Sequence, residues 1–378
     1  MSRFPKAPIS TPGLSQSEIE RVPIRWRTRT RGPTMSTDLK LGLNLGYWQR
    51  GPADATALVQ AAERLGYDSV WTAEAYGSDA FTPLAWYGAR TSRIKLGTSV
   101  AQISARTPAA TAMTAMTLDH LTGGRLLLGI GASGPQVVEG WYGVPFARPL
   151  ARTREYAEIM RRIWRREGPV TADGEHYPLP LPAQGRPGVT GLGKPLKLIT
   201  RPLRPEIPLY LGAEGPRNVA LAAEIADGWL PLFAFPEKIE QMYGPSLASA
   251  GPDFDIAAMV LTLVTDDVRA ALDGVKTMLT LYIGGMGARD RNFHADIIGR
   301  MGYADAAAEV QELYLSGRRD EAFAAVPDEL ADGISLVGPA GRIRERLEAW
   351  RKSPVTSLLV MGLGDEPSLR TVRDLVLG

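Results

Sequence analysis

The chain of 378 residues contains no cysteine and only three histidines, His120, His176 and His294. The absence of cysteine excludes disulfide bonds, thiolate metal sites and cysteine nucleophiles, and it leaves the redox compartment unmarked. So few histidines argue against a zinc or di-iron site, which draws on several imidazole and carboxylate ligands. We therefore expect no metal centre.

Long apolar runs and an excess of one charge are also missing. No apolar run reaches the length of a membrane span, and the N-terminus has no apolar signal core. The 43 lysine and arginine residues balance 41 aspartate and glutamate residues, which gives a formal net charge of +2. This balance provides no overall attraction to nucleic acid. The expectation is a cytoplasmic enzyme with a small-molecule substrate and no membrane or nucleic-acid partner.

The first 34 residues differ in composition from the rest of the chain. They are rich in proline, serine and arginine, show no sustained periodicity, and include arginines at alternate positions from Arg25 to Arg31. Such a segment cannot bury enough apolar surface to fold by itself. We predict that residues 1–34 form a disordered or loosely attached extension and that residues 35–378 form a single domain.

The stretch from residue 92 to residue 134 predicts a strand, a helix and a second strand. Residues 94–100 and 126–130 are short, apolar and bounded by turns, as buried parallel strands are. Between them, Thr107 followed by Pro108 is a typical helix start, and the pair Gly123–Gly124 ends that helix. Two apolar strands joined by one helix indicate a parallel sheet.

The same alternation runs along most of the chain. Eight strands are predicted, at residues 39–45, 69–72, 94–100, 126–130, 207–211, 228–230, 256–264 and 357–361. Strands alternating with helices in this number predict an α/β fold of the (β/α)8 TIM-barrel type. A doubly wound open sheet is the alternative, although no GxGxxG motif follows the first strand. Two insertions interrupt the alternation, at about residues 167–206, which are dense in proline and glycine, and at about residues 284–335, predicted to be irregular with some helix.

In a barrel, functional residues lie at the carboxyl ends of the strands. Because those ends meet at one mouth, the loops after the first five strands are expected to line one side of a single site. The candidates they contribute are Asn44, Glu74, Ser99, Val100, Gly131, Ala132, Ser133, Gly134, Gly212, Ala213, Glu214 and Gly215.

An ordered set of short motifs resembles the luciferase-like monooxygenase superfamily, and within it the actinobacterial oxidoreductases that use the deazaflavin coenzyme F420. The resemblance extends over residues 39–377, and the ordered set carries it rather than any single motif. The motifs are Leu96-Gly97-Thr98-Ser99-Val100, Arg106-Thr107-Pro108-Ala109, Asp119-His120-Leu121, Gly123-Gly124-Arg125 and Leu128-Gly129-Ile130-Gly131.

The resemblance implies roles for the candidates at the mouth. In the deazaflavin enzymes the turn at Ser99-Val100 holds a non-proline cis peptide that bulges against the back of the cofactor ring. Residues 131–134 would let the backbone approach the ring, and residues 212–215 would take the cofactor's phosphate at a helix N-terminus. Glu74 stands where the family commonly has a carboxylate beside the ring, able to bond the ring edge or position a proton.

The chain also departs from the pattern of the family. The luciferases and the sugar-phosphate dehydrogenase branch have histidine directly after this carboxylate, whereas Ala75 and Tyr76 follow it here. The dehydrogenase has a glutamate near the position of Gly134, which this chain lacks. Neither bioluminescence nor glucose-6-phosphate oxidation is therefore expected, and no general acid is evident. Glu74 and His176 are the catalytic candidates, although His176 also suits a structural role in a small hairpin; the further pocket candidates are Gln102, Tyr47, Trp48, Trp141 and Tyr142.

The leading hypothesis is hydride transfer between coenzyme F420 and a small organic substrate. The alternative is a two-component monooxygenase that uses reduced FMN and oxygen, with Arg148, Arg152 or Arg217 available for the FMN phosphate. A flavin-binding protein without activity is a third possibility. Homodimerisation is expected from the resemblance, and the substrate and the direction of transfer are not readable from the sequence.

Overall fold

The computed structural model describes residues 39–48, 53–184, 187–287 and 292–378, so the predicted extension at residues 1–34 lies outside the described residues. Ten strands in these ranges form one sheet. They are β1 (Lys40–Gly46), β2 (Ser69–Thr72), β3 (Lys95–Thr98), β4 (Ala101–Gln102), β5 (Leu126–Gly131), β6 (Leu209–Gly212), β7 (Gly228–Leu230), β8 (Asp255–Val264), β9 (Ser335–Gly338) and β10 (Ser357–Met361).

The parallel sheet closes into a barrel of eight strands. Its order is β10-β1-β2-β3-β5-β6-β7-β8, and β10 pairs with β8 to complete the ring. The short strand β4 continues the path of β3 and pairs with β5. Strand β9 pairs only with the far end of β8 and stays outside the ring. The predicted (β/α)8 barrel is confirmed, and each of its eight strands coincides with a predicted one.

Helices alternate with the strands around the barrel. They are α1 (Thr56–Leu65), α2 (Phe81–Gly88), α3 (Pro108–Leu121), α4 (Pro135–Gly140), α5 (Pro149–Arg165), α6 (Pro216–Ile225), α7 (Ile239–Leu247), α8 (Val268–Thr280), α9 (Phe293–Ile298), α10 (Ala304–Leu315), α11 (Arg319–Ala324), α12 (Asp328–Gly333), α13 (Ala340–Lys352) and α14 (Glu366–Val376), with π-helical turns at Leu281–Gly285 and Gly299–Tyr303. None of the helices in the described ranges is both long and apolar enough to cross a membrane.

Local sequence signals explain the predicted helix ends. Thr107 is extended and its hydroxyl accepts a hydrogen bond from the Ala110 N–H, which caps α3 ahead of Pro108. Gly66 ends α1 with a φ of 84°, in the left-handed region that glycine adopts without a steric penalty. These caps depend on neighbours in sequence, which is why the sequence predicts them.

Aromatic and aliphatic side chains pack together inside the barrel. Trp71 of β2 lies edge-to-face with Tyr210 of β6, with ring centroids 5.3 Å apart. A Cβ on Gly97 of β3 would lie 2.1 Å from the Trp71 ring, so only glycine leaves space for the indole. Because the interior is packed, a ligand has access only from the mouth, at the carboxyl ends of the strands.

The two predicted insertions differ in structure. In residues 167–206, two isolated bridges join Val170 to Leu196 and Ala172 to Leu179, and the second encloses the predicted small hairpin. Residues 284–335 are more helical than predicted, because α9 to α12 pack with α8 around a small apolar core of their own. The amphipathic positions in this stretch fall into short helices, each too short to establish a clear period in the sequence.

Candidate active site

A cis peptide bond joins Ser99 to Val100 at the end of β3, as predicted. The Ser99 N–H donates to the Thr72 carbonyl at 2.7 Å, and the Glu74 N–H donates to the Val100 carbonyl at 3.3 Å. These bonds tie the turn to the end of β2. Because β4 resumes pairing with β5 immediately afterwards, the Ser99–Val100 turn lies in the barrel wall at the mouth.

Two glycines on neighbouring strands leave room for the Val100 side chain. A Cβ on Gly131 would lie 2.5 Å from Val100 Cγ2, and a Cβ on Gly212 would lie 2.9 Å from Val100 Cγ1. Carbon atoms in contact are normally about 3.5–4.0 Å apart, so any larger residue would displace the valine. The resemblance implies that Gly131 lets the backbone approach the cofactor ring and that Gly212 belongs to the phosphate loop. In the structure, both glycines also leave the space that the Val100 side chain occupies.

The Glu74 carboxylate is buried and fully engaged. Its Oε1 accepts hydrogen bonds from Arg106 Nη1 and from the Gln102 N–H, both at 2.7 Å, and its Oε2 accepts one from the Ala80 N–H at 3.2 Å. Only 4% of the Glu74 side chain is exposed. Its carbonyl accepts a further bond from Gln102 Nε2 at 3.0 Å. This geometry favours a role in positioning the loops rather than in proton transfer to a ligand.

Two buried polar atoms beside this ion pair have no hydrogen-bond partner among the described residues. They are Ser99 Oγ and Gln102 Oε1, on residues that are 8% and 5% exposed. Buried polar atoms without partners are uncommon, and at a barrel mouth they indicate groups that a ligand would satisfy. Asn44 is buried nearby, but its Oδ1 accepts a hydrogen bond from the Gly46 N–H at 2.9 Å and so serves its own loop.

The loop after β5 crosses the mouth toward β2. Ser133 has a φ of 59°, and Gly134 is extended and begins α4, so the chain turns sharply after Ala132. Farther on, the Tyr142 hydroxyl donates to the Ala75 carbonyl at 3.2 Å and connects this loop to the loop after β2. Burial raises the pKa of Tyr142, which keeps its phenol neutral.

The loop after β6 leaves two N–H groups free at the N-terminus of α6. The Ala213 carbonyl accepts from Trp229 Nε1 at 2.7 Å, and the Glu214 carbonyl accepts from the Tyr243 hydroxyl at 2.8 Å. The N–H groups of Glu214 and Gly215 donate to no other residue within the described ranges. Free N–H groups at a helix N-terminus favour an anionic group.

The second predicted catalytic residue, His176, packs on α5. The N–H groups of His176 and Tyr177 donate to Glu155 Oε2 at 2.9 and 3.1 Å. His176 Nε2 is buried and has no hydrogen-bond partner in the described part of the chain. No hydrogen bond or ion pair joins His176 to Glu74 in the described ranges, so the structure does not bring these two candidates together. The described ranges also contain no group of three or more histidine and acidic side chains able to hold a metal ion.

A different histidine, not selected from the sequence, reaches the mouth. The ring of His294, in the first turn of α9, lies edge-to-face with Tyr282 at 4.8 Å and with Phe233 at 6.0 Å between centroids. Its Nδ1 lies 3.1 Å from Glu214 Oε1, within ion-pair distance but turned out of hydrogen-bonding geometry. The side chains of His294 and Glu214 are only 18% and 20% exposed.

Asn292 fixes the position of this histidine. Its Oδ1 accepts from the N–H groups of His294 and Ala295, at 3.0 and 3.2 Å, and caps α9. Its Nδ2 donates to the Ile283 carbonyl at 2.5 Å and joins α9 to the π-helical turn. Asparagine before an apolar run is a typical helix start, so this local signal could have placed His294 in a first helical turn.

Comparison with known proteins matches residues 30–357 to the luciferase-like monooxygenase family. A Mycobacterium tuberculosis protein named "Putative coenzyme F420-dependent oxidoreductase" is 53% identical over 351 residues, which cover 90% of this chain and 99% of the relative. The solved coenzyme F420-dependent tetrahydromethanopterin reductase of Methanopyrus kandleri has a TM-score of 0.71 at 23% identity, covering 90% of this chain and 99% of the reductase. A solved F420-dependent secondary alcohol dehydrogenase has a TM-score of 0.71 at 17% identity, covering 90% and 98%.

The match to the family spans far more than half of the chain, and the mycobacterial relative shares more than half of its residues over nearly its whole length. The two solved structures, at lower identity, support the barrel fold. The chain therefore belongs to the luciferase-like monooxygenase family of oxidoreductase enzymes.

Proposed function

We propose that this enzyme transfers a hydride between coenzyme F420 and a small organic substrate. The observation that carries the proposal is the Ser99–Val100 turn, at which Val100 fits against two glycines beside two unsatisfied buried polar atoms. The name of the mycobacterial relative supports the choice of F420. Homodimerisation remains a prediction from the resemblance, and a cytoplasmic location remains a prediction from the composition of the sequence.

The residues at the mouth suit a flat, polar-edged cofactor with a phosphate. Val100 would lie against the ring, Ser99 Oγ and Gln102 Oε1 would bond polar atoms at its edge, and the free N–H groups of Glu214 and Gly215 would hold the phosphate. When bound, the deazaflavin supplies two-electron chemistry, as a nicotinamide does. The protein's part is to bind, orient and exclude water.

In this proposal the Glu74–Arg106 ion pair is a positioning device. Glu74 holds Gln102 through both its carboxylate and its carbonyl, and it holds the loop after β2 through the Ala80 N–H. Because both carboxylate oxygens already accept from protein donors, we assign no proton transfer to this residue. No hydrogen bond or ion pair in the described part of the chain joins His176 to Glu74 or Arg106, and we do not include His176 in the site.

The FMN alternative has less support. The family description includes monooxygenases, but two of the three arginines suggested for an FMN phosphate are engaged elsewhere. Arg148 pairs with Glu175, and Arg152 donates to the Pro145 carbonyl at 2.8 Å. Arg217, exposed in the first turn of α6, makes neither an ion pair nor a side-chain hydrogen bond in the described ranges.

A binding titration tests the proposal. The purified protein, followed by tryptophan fluorescence, is titrated with oxidised F420 and, in parallel, with FMN. Saturable binding of F420 with weak binding of FMN is expected. Preference for FMN would move the monooxygenase to first place, and binding of neither would overturn the hydride-transfer proposal.

A pair of variants tests the assignment of the binding residues. Gln102→Leu removes the unsatisfied Oε1 and is expected to weaken F420 binding about tenfold, as the loss of one buried hydrogen bond does. The control is Gln60→Leu on α1, because Gln60 is remote from the mouth and donates to the Arg90 carbonyl. Equal affinities of the two variants would remove Gln102 from the site.

A further inference from the structure

The mouth of the barrel also contains a histidine–carboxylate pair, His294 and Glu214. His294 and Glu214 come from different elements, α9 and the loop after β6, and lie 80 positions apart in sequence. Their side chains are mostly buried, with Nδ1 and Oε1 3.1 Å apart. The pair is brought together from distant parts of the chain and is enclosed by two aromatic rings, so solvent and salt screen it less than they screen an exposed pair.

Glu214 places this pair beside the proposed cofactor site. The residue belongs to the loop whose first glycine, Gly212, contacts Val100, and the Tyr243 hydroxyl anchors its carbonyl. Its side chain reaches His294. The resemblance assigns phosphate binding to the same loop, so His294 lies near the proposed cofactor.

The phenol ring of Tyr282 contacts His294, and further phenols lie near Tyr282. Burial raises the pKa of Tyr282, and the neighbouring Tyr47, Glu214 and Tyr76 raise it further. Burial likewise raises the pKa of Tyr47. Of the described cations, Arg300 opposes the rise that burial and Glu214 cause in the pKa of Tyr243. Histidine is the side chain that most often transfers protons in catalysis, so His294 is the candidate for that role in this space.

Aromatic rings from several loops enclose the same space. Phe146, from the segment before α5, lies 6.4 Å from Phe293 across the mouth, and Phe233 lies 5.4 Å from Tyr282. Apolar walls with few polar groups suit an uncharged organic molecule whose one polar group meets the histidine.

We propose that His294 is a catalytic residue that exchanges the proton of an apolar alcohol or carbonyl substrate, and that Glu214 is the positioning residue that orients its ring. This inference rests on the proposed hydride transfer and names the proton partner that it needs.

The step balances in either direction. In oxidation the alcohol O–H bond breaks and the proton passes to a His294 ring nitrogen, while the carbinol C–H bond breaks and its hydrogen leaves with both electrons to the deazaflavin. The C=O bond forms and the substrate loses two electrons, which a bound deazaflavin would accept. In reduction the carbonyl carbon takes the hydride and its oxygen takes the proton from His294. General acid–base catalysis of this kind contributes about 10²–10⁴-fold to a rate.

Kinetic experiments with defined probes test the role of His294. The probes are acetophenone and cyclohexanone with reduced F420, and 1-phenylethanol and cyclohexanol with oxidised F420. His294→Gln is expected to lower kcat at least 100-fold while F420 affinity stays within about twofold. His120→Gln, on the exposed face of α3, is the matched control and should keep wild-type rates. In His294→Ala, added imidazole should restore part of the rate, which a merely structural role would not allow.

The three histidines permit a readout that does not depend on turnover. Nitrogen-15 NMR of histidine-labelled protein resolves three imidazole rings. The signals of His294 are those that are missing from the spectrum of His294→Gln. Wild type is expected to show the His294 proton predominantly on Nδ1, because the negative charge of the Glu214 carboxylate, 3.1 Å away, favours the tautomer with its N–H on that side even without an aligned hydrogen bond. In Glu214→Gln this preference should disappear and kcat should fall about tenfold, with partial recovery in Glu214→Asp.

The possible outcomes separate this inference from the proposed function. If wild type does not bind F420, both fail. If it binds F420 and His294→Gln keeps the wild-type rate, only the role of His294 is refuted. Turnover of none of the four probes would overturn the alcohol or carbonyl class, and an unchanged tautomer in Glu214→Gln would overturn the positioning role of Glu214.

Discussion

The ion pair between Glu74 and Arg106 gives a prediction that separates positioning from catalysis. In Glu74→Gln the amide oxygen can still accept from Arg106 and from the Gln102 N–H, but the amide nitrogen then faces the Ala80 N–H, 3.2 Å away in the native protein. A buried donor without an acceptor costs about 1–3 kcal/mol. Loss of the charge from the Arg106 bond adds about 1 kcal/mol.

The expected destabilisation is therefore about 2–4 kcal/mol, below the full cost of breaking a buried ion pair. For a chain of this length, 3 kcal/mol corresponds to a fall in Tm of about 4 °C. Thermal unfolding followed by circular dichroism measures it, and the F420 titration should show weaker binding because Gln102 loses its support. Glu224→Gln, which removes an exposed pair with Arg154, is the control, with an expected change within about 0.5 kcal/mol.

One result would refute this reasoning. If Glu74→Gln kept the wild-type Tm and the wild-type F420 affinity but lost hydride transfer, Glu74 would be a proton-transfer group, as the sequence first suggested. A double-mutant cycle with Arg106→Met refines the test, because a positioning pair predicts a coupling energy of about 1–3 kcal/mol in stability.

Two further predictions concern the packing of the site and its response to pH. Gly131→Ala should destabilise the protein by about 1–3 kcal/mol and weaken F420 binding by displacing Val100, whereas Gly140→Ala, with open space around the new Cβ, should change neither; equal Tm values would contradict the clash. Burial raises the pKa of Tyr243 to about 12, so its contribution to stability is present below pH 10 and is lost as the pH rises toward 12. Between these limits the contribution amounts to about 2.7 kcal/mol. Urea unfolding at pH 9 and at pH 11.5 measures this loss. Tyr243→Phe should lose less stability over that range than wild type or than Tyr76→Phe, the exposed control.

The sequence determines the barrel and the position of its mouth, because the signals involved are local. A buried parallel strand needs only a short apolar run between turns, and a helix end needs a cap such as Thr107 or Gly66. Alternating strands and helices are compatible with only a few sheet topologies. The eight strands predicted from the sequence are the eight strands of the closed barrel. The turn at Ser99 and Val100 was predicted from a family motif that is itself contiguous in sequence.

The relationships within the site come from the tertiary structure alone. Glu74 and Arg106 lie 32 positions apart, and nothing in the sequence shows that the carboxylate accepts from three protein donors and so loses its freedom to move a proton. The placement of His294 beside Glu214 depends on a crossover of many residues between β8 and β10, whose short helices give weak periodic signals. Composition and local pattern specify which elements form, whereas the packing of distant loops at the mouth decides which side chains meet, because each such contact depends on the closure of the whole barrel.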